Sequence, residues 1–236
     1  MLSKLLALFK QDQPRKRQGN TNVSKKNAPT KTHSGKVEST RIGELGEHKI
    51  NIQLDQLPKD CRHLSDLLLP NHKSGRGYSQ IDHFVISPYG LFVIETKNYN
   101  GEIKGGRKDK YWSVSNRYKM YNPLMQNYGH IKALEAHLGE FIAAKYISMI
   151  SFTMRCRFSI DPELRKIGSD ELIVYDVELY DFLQRKIARL KSELSTPIFT
   201  PEHVDAIHAK VNALNITDPK ARAEHVRLVQ GRKYNG

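Results

Sequence analysis

The 236-residue chain is poor in several things, and each scarcity narrows what it can be. Cysteine occurs twice, at Cys61 and Cys156, far apart and in no CxxC pair. That excludes a disulfide framework, reads as two ordinary small hydrophobes, and suits a reducing compartment such as the cytoplasm. With no HExxH either, the ten histidines give a zinc site little support. Long apolar runs are missing too. In the first ten residues Lys4 and Lys10 hold the apolar stretch far below the roughly 20 residues of a membrane span, and no small-residue cleavage site follows. Leu2, Leu5, Leu6 and Phe9 share a helical face, so this segment is either a frayed terminus or a weak amphipathic contact with a membrane surface. "GKVE", "GELGE" and "KGGRK" lack the spacing and strand context of a P-loop or dinucleotide fingerprint, and no repeat is evident.

Acidic residues are also in deficit. Lys and Arg number 38 against 25 Asp and Glu, a net charge of +13 that favours a polyanion as partner: nucleic acid or an anionic membrane face. Residues 1 to 40 hold nine basic and two acidic residues, more than half of the excess. Residues 1–39 are therefore expected to be a disordered basic tail. A core over 40–150 follows, then strands and helices over 151–216 that complete or extend it, and a basic C-terminal tail over 217–236.

Within the core, "TRIGELGEHKINIQLDQLP" reads as a helix stopping before Pro58, with Ile42, Leu45, Ile50 and Leu54 as its stripe. "CRHLSDLLLP" and "YSQIDHFVIS" read as strands, and Ser87-Pro88-Tyr89-Gly90 as the turn of a hairpin into "GLFVIETK". After the Asn100-Gly101 turn the sheet is expected to gain two more short strands. Asn122 caps a helix with Pro123 at its first position and a stripe of Leu124, Tyr128, Ile131, Leu134 and Leu138. Strands near 146–152 and 172–175 and helices from Asp176 and Pro201 complete the pattern. The fold class is α/β, a central mixed sheet flanked by helices.

Glu95 and Lys97, two apart in a strand, point to one face while Thr96 points away. If the turn has two or four loop residues, position i pairs with 177 minus i, which sets Asp82 opposite Glu95 with their β-carbons about 5 Å apart. Two carboxylates so placed repel unless a cation intervenes, and a divalent metal such as Mg²⁺ is the natural one. Lys97 would then help deprotonate or orient a bound water, or offset charge developing on a phosphate. An E-x-K triplet alone equally marks a surface ion pair, and a three-residue turn with a bulge would move Asp82 off that face. His83 alternates to the opposite side.

"GELGE" at 43–47, "QIDH" at 80–83, "GLFVIETKNYNG" at 90–101, Trp112 and "NPLMQN" at 122–127 resemble, in order, the nuclease-related domain (NERD) family of the PD-(D/E)XK nuclease superfamily. The resemblance covers roughly residues 40 to 150. It implies a restriction-endonuclease-like core and a metal-dependent phosphodiesterase acting on DNA. Asp82 and Glu95 would be ligands of Mg²⁺ (or Mn²⁺), and Lys97 would assist the attacking water. Glu47 would be the acidic residue beside the metal, with Glu44 one turn earlier as the alternative. Gln126 matches the family's glutamine in the helix after the sheet. His130 and His137 share its face and are taken as solvated.

Lys73, Arg76, Lys104, Arg107, Lys108 and Lys110 fall in two loops flanking the hairpin, where they would hold a phosphate backbone or simply confer solubility. The competing function is a weakly active or inactive module that binds nucleic acid or a membrane surface on the same fold.

Overall fold

The computed structural model describes residues 46–75, 77–141 and 145–231. The basic tail over 1–39, Ile42, Glu44, Leu45 and Arg76 lie outside the described residues. A first helix, α1, spans residues 46–54. Strands β1 (Arg62–Pro70), β2 (Tyr78–Ser87) and β3 (Gly90–Lys97) follow as an antiparallel meander. The turn after β2 has two loop residues, because Ser87 pairs with Gly90 and His83 with Ile94. Asp82 and Glu95 are thereby set across from each other, one step beyond the last formal pair.

β3 is central, which explains its unbroken Leu91–Ile94 run. Leu91 and Val93 pack with α2 (Pro123–His137) and α4 (Pro201–Leu214), while Phe92 and Ile94 pack with α1 and α3 (Leu179–Glu193). All four are fully buried, each stabilising the fold by roughly 1.5–3 kcal/mol relative to exposure. β7 (Tyr146–Phe152) and β9 (Glu171–Tyr175) add in parallel, giving the order β1-β2-β3-β7-β9 between two helical layers. β9 and α3 thus place residues after 150 in the same core as β3.

The strands after Gly101 do not join that sheet. β4 (Gly101–Gly105), β5 (Tyr111–Val114) and β6 (Tyr118–Tyr121) form a second sheet, order β6-β5-β4-β8, with β8 (Cys156–Ile160). The chain breaks away where Gly101 takes φ of 94°, a conformation that glycine adopts without steric cost. Ile103, Trp112, Val114 and Met120 then pack onto Ile150, Phe152 and Ile173 of the first sheet. Gly105 allows the close approach: a β-carbon there would lie 2.3 Å from the Trp112 ring.

In α2 the expected stripe holds for Leu124, Ile131, Leu134 and Leu138, but Tyr128 is 59% exposed. Asn127 is buried instead, donating to the Val93 carbonyl at 2.8 Å and the Ser148 hydroxyl at 2.7 Å. Asn122 accepts from the Leu124 N–H at 2.9 Å, and its amide donates to the carbonyls of Arg107 (3.0 Å) and Asp109 (2.7 Å). Asn122→Ala removes a cap and leaves inward-facing carbonyls unpaired, so urea denaturation should register a loss of about 2–4 kcal/mol.

The C-terminal segment read as a tail is a helix, α5 (Pro219–Gly231). Arg222 fixes it, donating to the carbonyls of Ile216 (3.1 Å) and Asp66 (3.2 Å) and pairing with the Asp66 carboxylate. His225 is buried, edge-on to Tyr78 at 6.1 Å. The polar composition hid this helix, because its anchoring rests on one arginine and one histidine rather than on an apolar stripe.

His83, on the α1 side of β2, is also buried. Ser65 donates its hydroxyl hydrogen to Asn51 at 2.6 Å, so the proton between Ser65 Oγ and His83 Nδ1 (2.9 Å) belongs to the imidazole. Burial pushes His83 down to about 4. Its folded value lies below its unfolded value of about 6.5, so this stability is complete above pH 6.5 and is lost as pH falls toward 4, by up to about 3 kcal/mol. The difference in urea stability between wild type and His83→Leu should be flat above about pH 6.5 and shrink below it.

Candidate active site

Beyond the His83–Ile94 pair the strands of the hairpin part, and side chains take over from the ladder. Asp82 Oδ2 accepts both the backbone N–H and the hydroxyl of Thr96, each at 2.6 Å. Asp82 is therefore locked to β3 by the residue between Glu95 and Lys97, which itself points to the α1 side. β3 continues to pair with β7 through Lys97, so Glu95 and Lys97 are held from that side by the ladder.

Glu95 is 4% exposed and is the hub. Its Oε1 accepts from Lys97 Nζ at 2.5 Å and from Gln126 Nε2 at 2.6 Å, and its Oε2 lies 3.3 Å from His130 Nε2. Gln126 Oε1 in turn accepts from Lys97 at 2.9 Å. Gln126 and His130, one turn apart on α2, thus reach the same carboxylate. Asn127, between them in sequence, pins α2 to β3 through the Val93 carbonyl. His130 was taken as solvated; its side chain is only 12% exposed and faces Glu95. The i, i+4 spacing from Gln126 was the sequence signal, but only packing of α2 over β3 gave it a target. His137, by contrast, bonds the Pro70 carbonyl at 2.8 Å.

The two carboxylates diverge electrostatically. Burial pushes Asp82 up to about 7, and the negative charge of Glu95 adds to the effect, against the Thr96 hydrogen bonds and Lys97. Burial alone would raise Glu95 as well, yet Lys97 and His130 outweigh it and hold Glu95 down at about 2. Burial works against the charge on Lys97, but Glu95 keeps its proton bound above the usual lysine range. Glu95 is therefore the fixed anion, and Asp82 is the group whose charge lacks compensation.

A cleft of about 770 Å³ opens over this cluster. Asp82, Glu95, Gln126 and His130 form its floor, Lys73 one rim, and His225 and Val229 of α5 another wall. Glu47 of α1 lines the same cleft. Among the described residues no group of three or more His, Cys, Asp or Glu side chains is placed to hold one metal ion, so the three-carboxylate convergence is not seen. The donor set that fits is the pair Asp82 and Glu95: hard oxygen ligands, with uncompensated charge on Asp82. Mg²⁺ commonly takes one or two carboxylates and keeps water in its remaining positions.

The expected phosphate-holding residues separate. Lys73 lines the cleft. Lys104 is in strand β4 rather than a loop, and Arg107 is committed to Asp161 and Glu171. Lys104, Arg107, Lys108 and Lys110 all belong to the second-sheet region and none lines the cleft. Among the described residues no helix is long and apolar enough to cross a membrane.

Residues 42–153 match the family model described as "Nuclease-related domain". An uncharacterized protein of Bacillus anthracis is 29% identical over 195 residues, covering 80% of this chain and 84% of that protein. No solved structure matches the chain.

Proposed function

Residues 42–153 of this chain are a nuclease-related domain, of the PD-(D/E)XK-like nuclease fold, and from that premise we propose that the protein is a metal-dependent nuclease hydrolysing phosphodiester bonds in DNA. The observation that carries the reading is the meeting of Asp82, Glu95 and Gln126 in one cleft, with the Lys97 ammonium bonded to both Glu95 and Gln126. Asp82 and Glu95 are the residues that would hold Mg²⁺ or Mn²⁺. When bound, such an ion supplies an acidified water and charge stabilisation on a phosphate oxygen.

The side chains have separable tasks. Thr96 aims Asp82 by two hydrogen bonds to one oxygen, leaving Oδ1 without a hydrogen-bond partner among the described residues. Gln126 and His130 orient Glu95, and Gln126 also steers the Lys97 ammonium. Lys97 remains cationic and is suited to stabilising negative charge on a phosphate, or to orienting a nucleophilic water, rather than to accepting a proton. Lys73 at the rim provides a phosphate contact without sequence preference. Glu47 is a further acidic residue of the same cleft.

The test is incubation of the full chain with single- and double-stranded DNA, with Mg²⁺, with Mn²⁺ and with a chelator. Cleavage that requires the ion supports the reading. DNA binding of normal affinity with no cleavage under any metal condition would replace it with a binding module.

A further inference from the structure

The outward face of the second sheet brings exposed tyrosines and lysines together. Ile103, Trp112, Val114 and Met120 point into the core, so by strand alternation Glu102 and Lys104 of β4, Tyr111 and Ser113 of β5, and Lys119 and Tyr121 of β6 point away from it. The pairing sets these residues side by side: Tyr111 with Tyr121, Ser113 with Lys119, and Lys104 with both Ser113 and Ser159. Tyr111 is 51% and Tyr121 46% exposed, their rings edge to face at 6.2 Å. Lys110 Nζ lies 5.5 Å from the Tyr111 ring centroid.

Charge pairing marks the same face. Many basic side chains elsewhere in the described fold are matched with a carboxylate, Arg62, Arg165, Lys186 and Arg222 among them, and Arg107 of the second-sheet region is matched too. Among the described residues Lys104, Lys108, Lys110 and Lys119 have no such partner. Two exposed aromatic rings set among unneutralised ammonium groups on a flat sheet need an occupant with negative charge and accessible π faces. Duplex DNA offers the charge, but its bases are stacked inside. A membrane offers charge too, but the inserting surface would need aliphatic groups, and the outward residues of β4, β5 and β6 are Tyr, Ser and Lys with the single carboxylate Glu102.

We propose that this open face of β4, β5 and β6, with Tyr111 and Tyr121 flanked by Lys104, Lys110 and Lys119, is a docking surface for single-stranded DNA. The lysines follow the phosphates and the tyrosines stack on unpaired bases. The inference rests on the nucleic-acid substrate proposed above and gives it a strandedness: unpaired strand, or the displaced end of a duplex.

The test uses the full chain with a chelator present, so that binding is read without cleavage. Fluorescence anisotropy compares a labelled oligo-dT strand with a labelled hairpin duplex. The double variant Tyr111→Ser/Tyr121→Ser is expected to weaken oligo-dT binding by about tenfold or more and to change duplex binding less than about twofold, with the salt slope retained. Tyr111→Phe/Tyr121→Phe should restore the affinity, since it keeps the rings. Lys104→Ala/Lys119→Ala should weaken both ligands and lower the salt slope. Unchanged oligo-dT affinity in the Ser variant, equal losses on strand and duplex, or binding of wild type to anionic phosphatidylglycerol vesicles in preference to oligo-dT would each overturn the proposal.

The two readings fail separately. If the Ser variant loses oligo-dT binding and the wild type cleaves nothing with any ion, the docking surface stands and the nuclease falls. If the wild type cleaves DNA and the Ser variant binds oligo-dT normally, the nuclease stands and the docking surface falls.

Discussion

Asp82→Asn is expected to lower metal-dependent cleavage by about 10³-fold or more while leaving the metal-free fold as stable as wild type, or more stable. The side-chain oxygen of asparagine can still accept from the Thr96 N–H and hydroxyl, the two bonds that lock Asp82 to β3. What disappears is a negative charge facing Glu95 in a partly buried site. That charge is costly in the metal-free protein, since burial and Glu95 together push Asp82 up to about 7. It would be useful only if Asp82 and Glu95 held a divalent ion, as proposed above. Activity and stability should therefore move independently. Urea denaturation with a chelator, beside a cleavage assay with Mg²⁺, separates the two, and a variant that loses stability in step with activity would make Asp82 a structural residue.

Lys97→Met is expected to cost both. Removing the ammonium leaves Glu95, nearly inaccessible to water, with only Gln126 and His130 as partners. Breaking a buried ion pair from one side typically destabilises by about 3–5 kcal/mol, and the lower end applies here because two hydrogen-bonding partners remain. Cleavage should fall by about 10²–10³-fold through loss of the cation that stabilises phosphate charge. Adding Glu95→Gln in the same chain removes the stranded carboxylate, so stability should largely return while activity does not. The non-additivity of that cycle is the measurement. If the double variant is as unstable as the sum of the two single variants, the energetic coupling between Glu95 and Lys97 is absent.

The opposite responses follow from one asymmetry. Glu95 is held as an anion by Lys97, Gln126 and His130, whereas Asp82 has hydrogen bonds but no cation directly against it. A substitution that neutralises Asp82 relieves repulsion, and one that strips the cation from Glu95 creates an uncompensated charge.

Much of the cleft's floor was legible in the chain because it is local. The side-chain period of a strand, together with a two-residue turn, fixes which residues of a hairpin share a face, so Asp82, Glu95 and Lys97 followed from spacing. The Asn122-Pro123 start likewise set where α2 begins, and helical spacing put Gln126 and His130 on one face of it. Less local features escaped for identifiable reasons. Tyr128 falls at the edge of the stripe and faces solvent, because Asn127, one residue earlier, lies nearer the middle of the buried face of α2. The short run Cys156–Ile160 has no turn signal of its own and becomes a strand only through parallel pairing with β4.

By itself, then, the sequence determined the α/β class and the shared face of Glu95 and Lys97, and it tied Asp82 to that face on condition of a two- or four-residue turn, because each depends on a local period or a turn length. Tertiary packing decided that His130 meets Glu95, that α5 walls the cleft, that β4 to β6 leave the first sheet, and that Arg107 is tied to Asp161 and Glu171. These contacts join residues far apart along the chain. Their partners are set by which apolar faces bury against one another, and no spacing within a single segment carries that information.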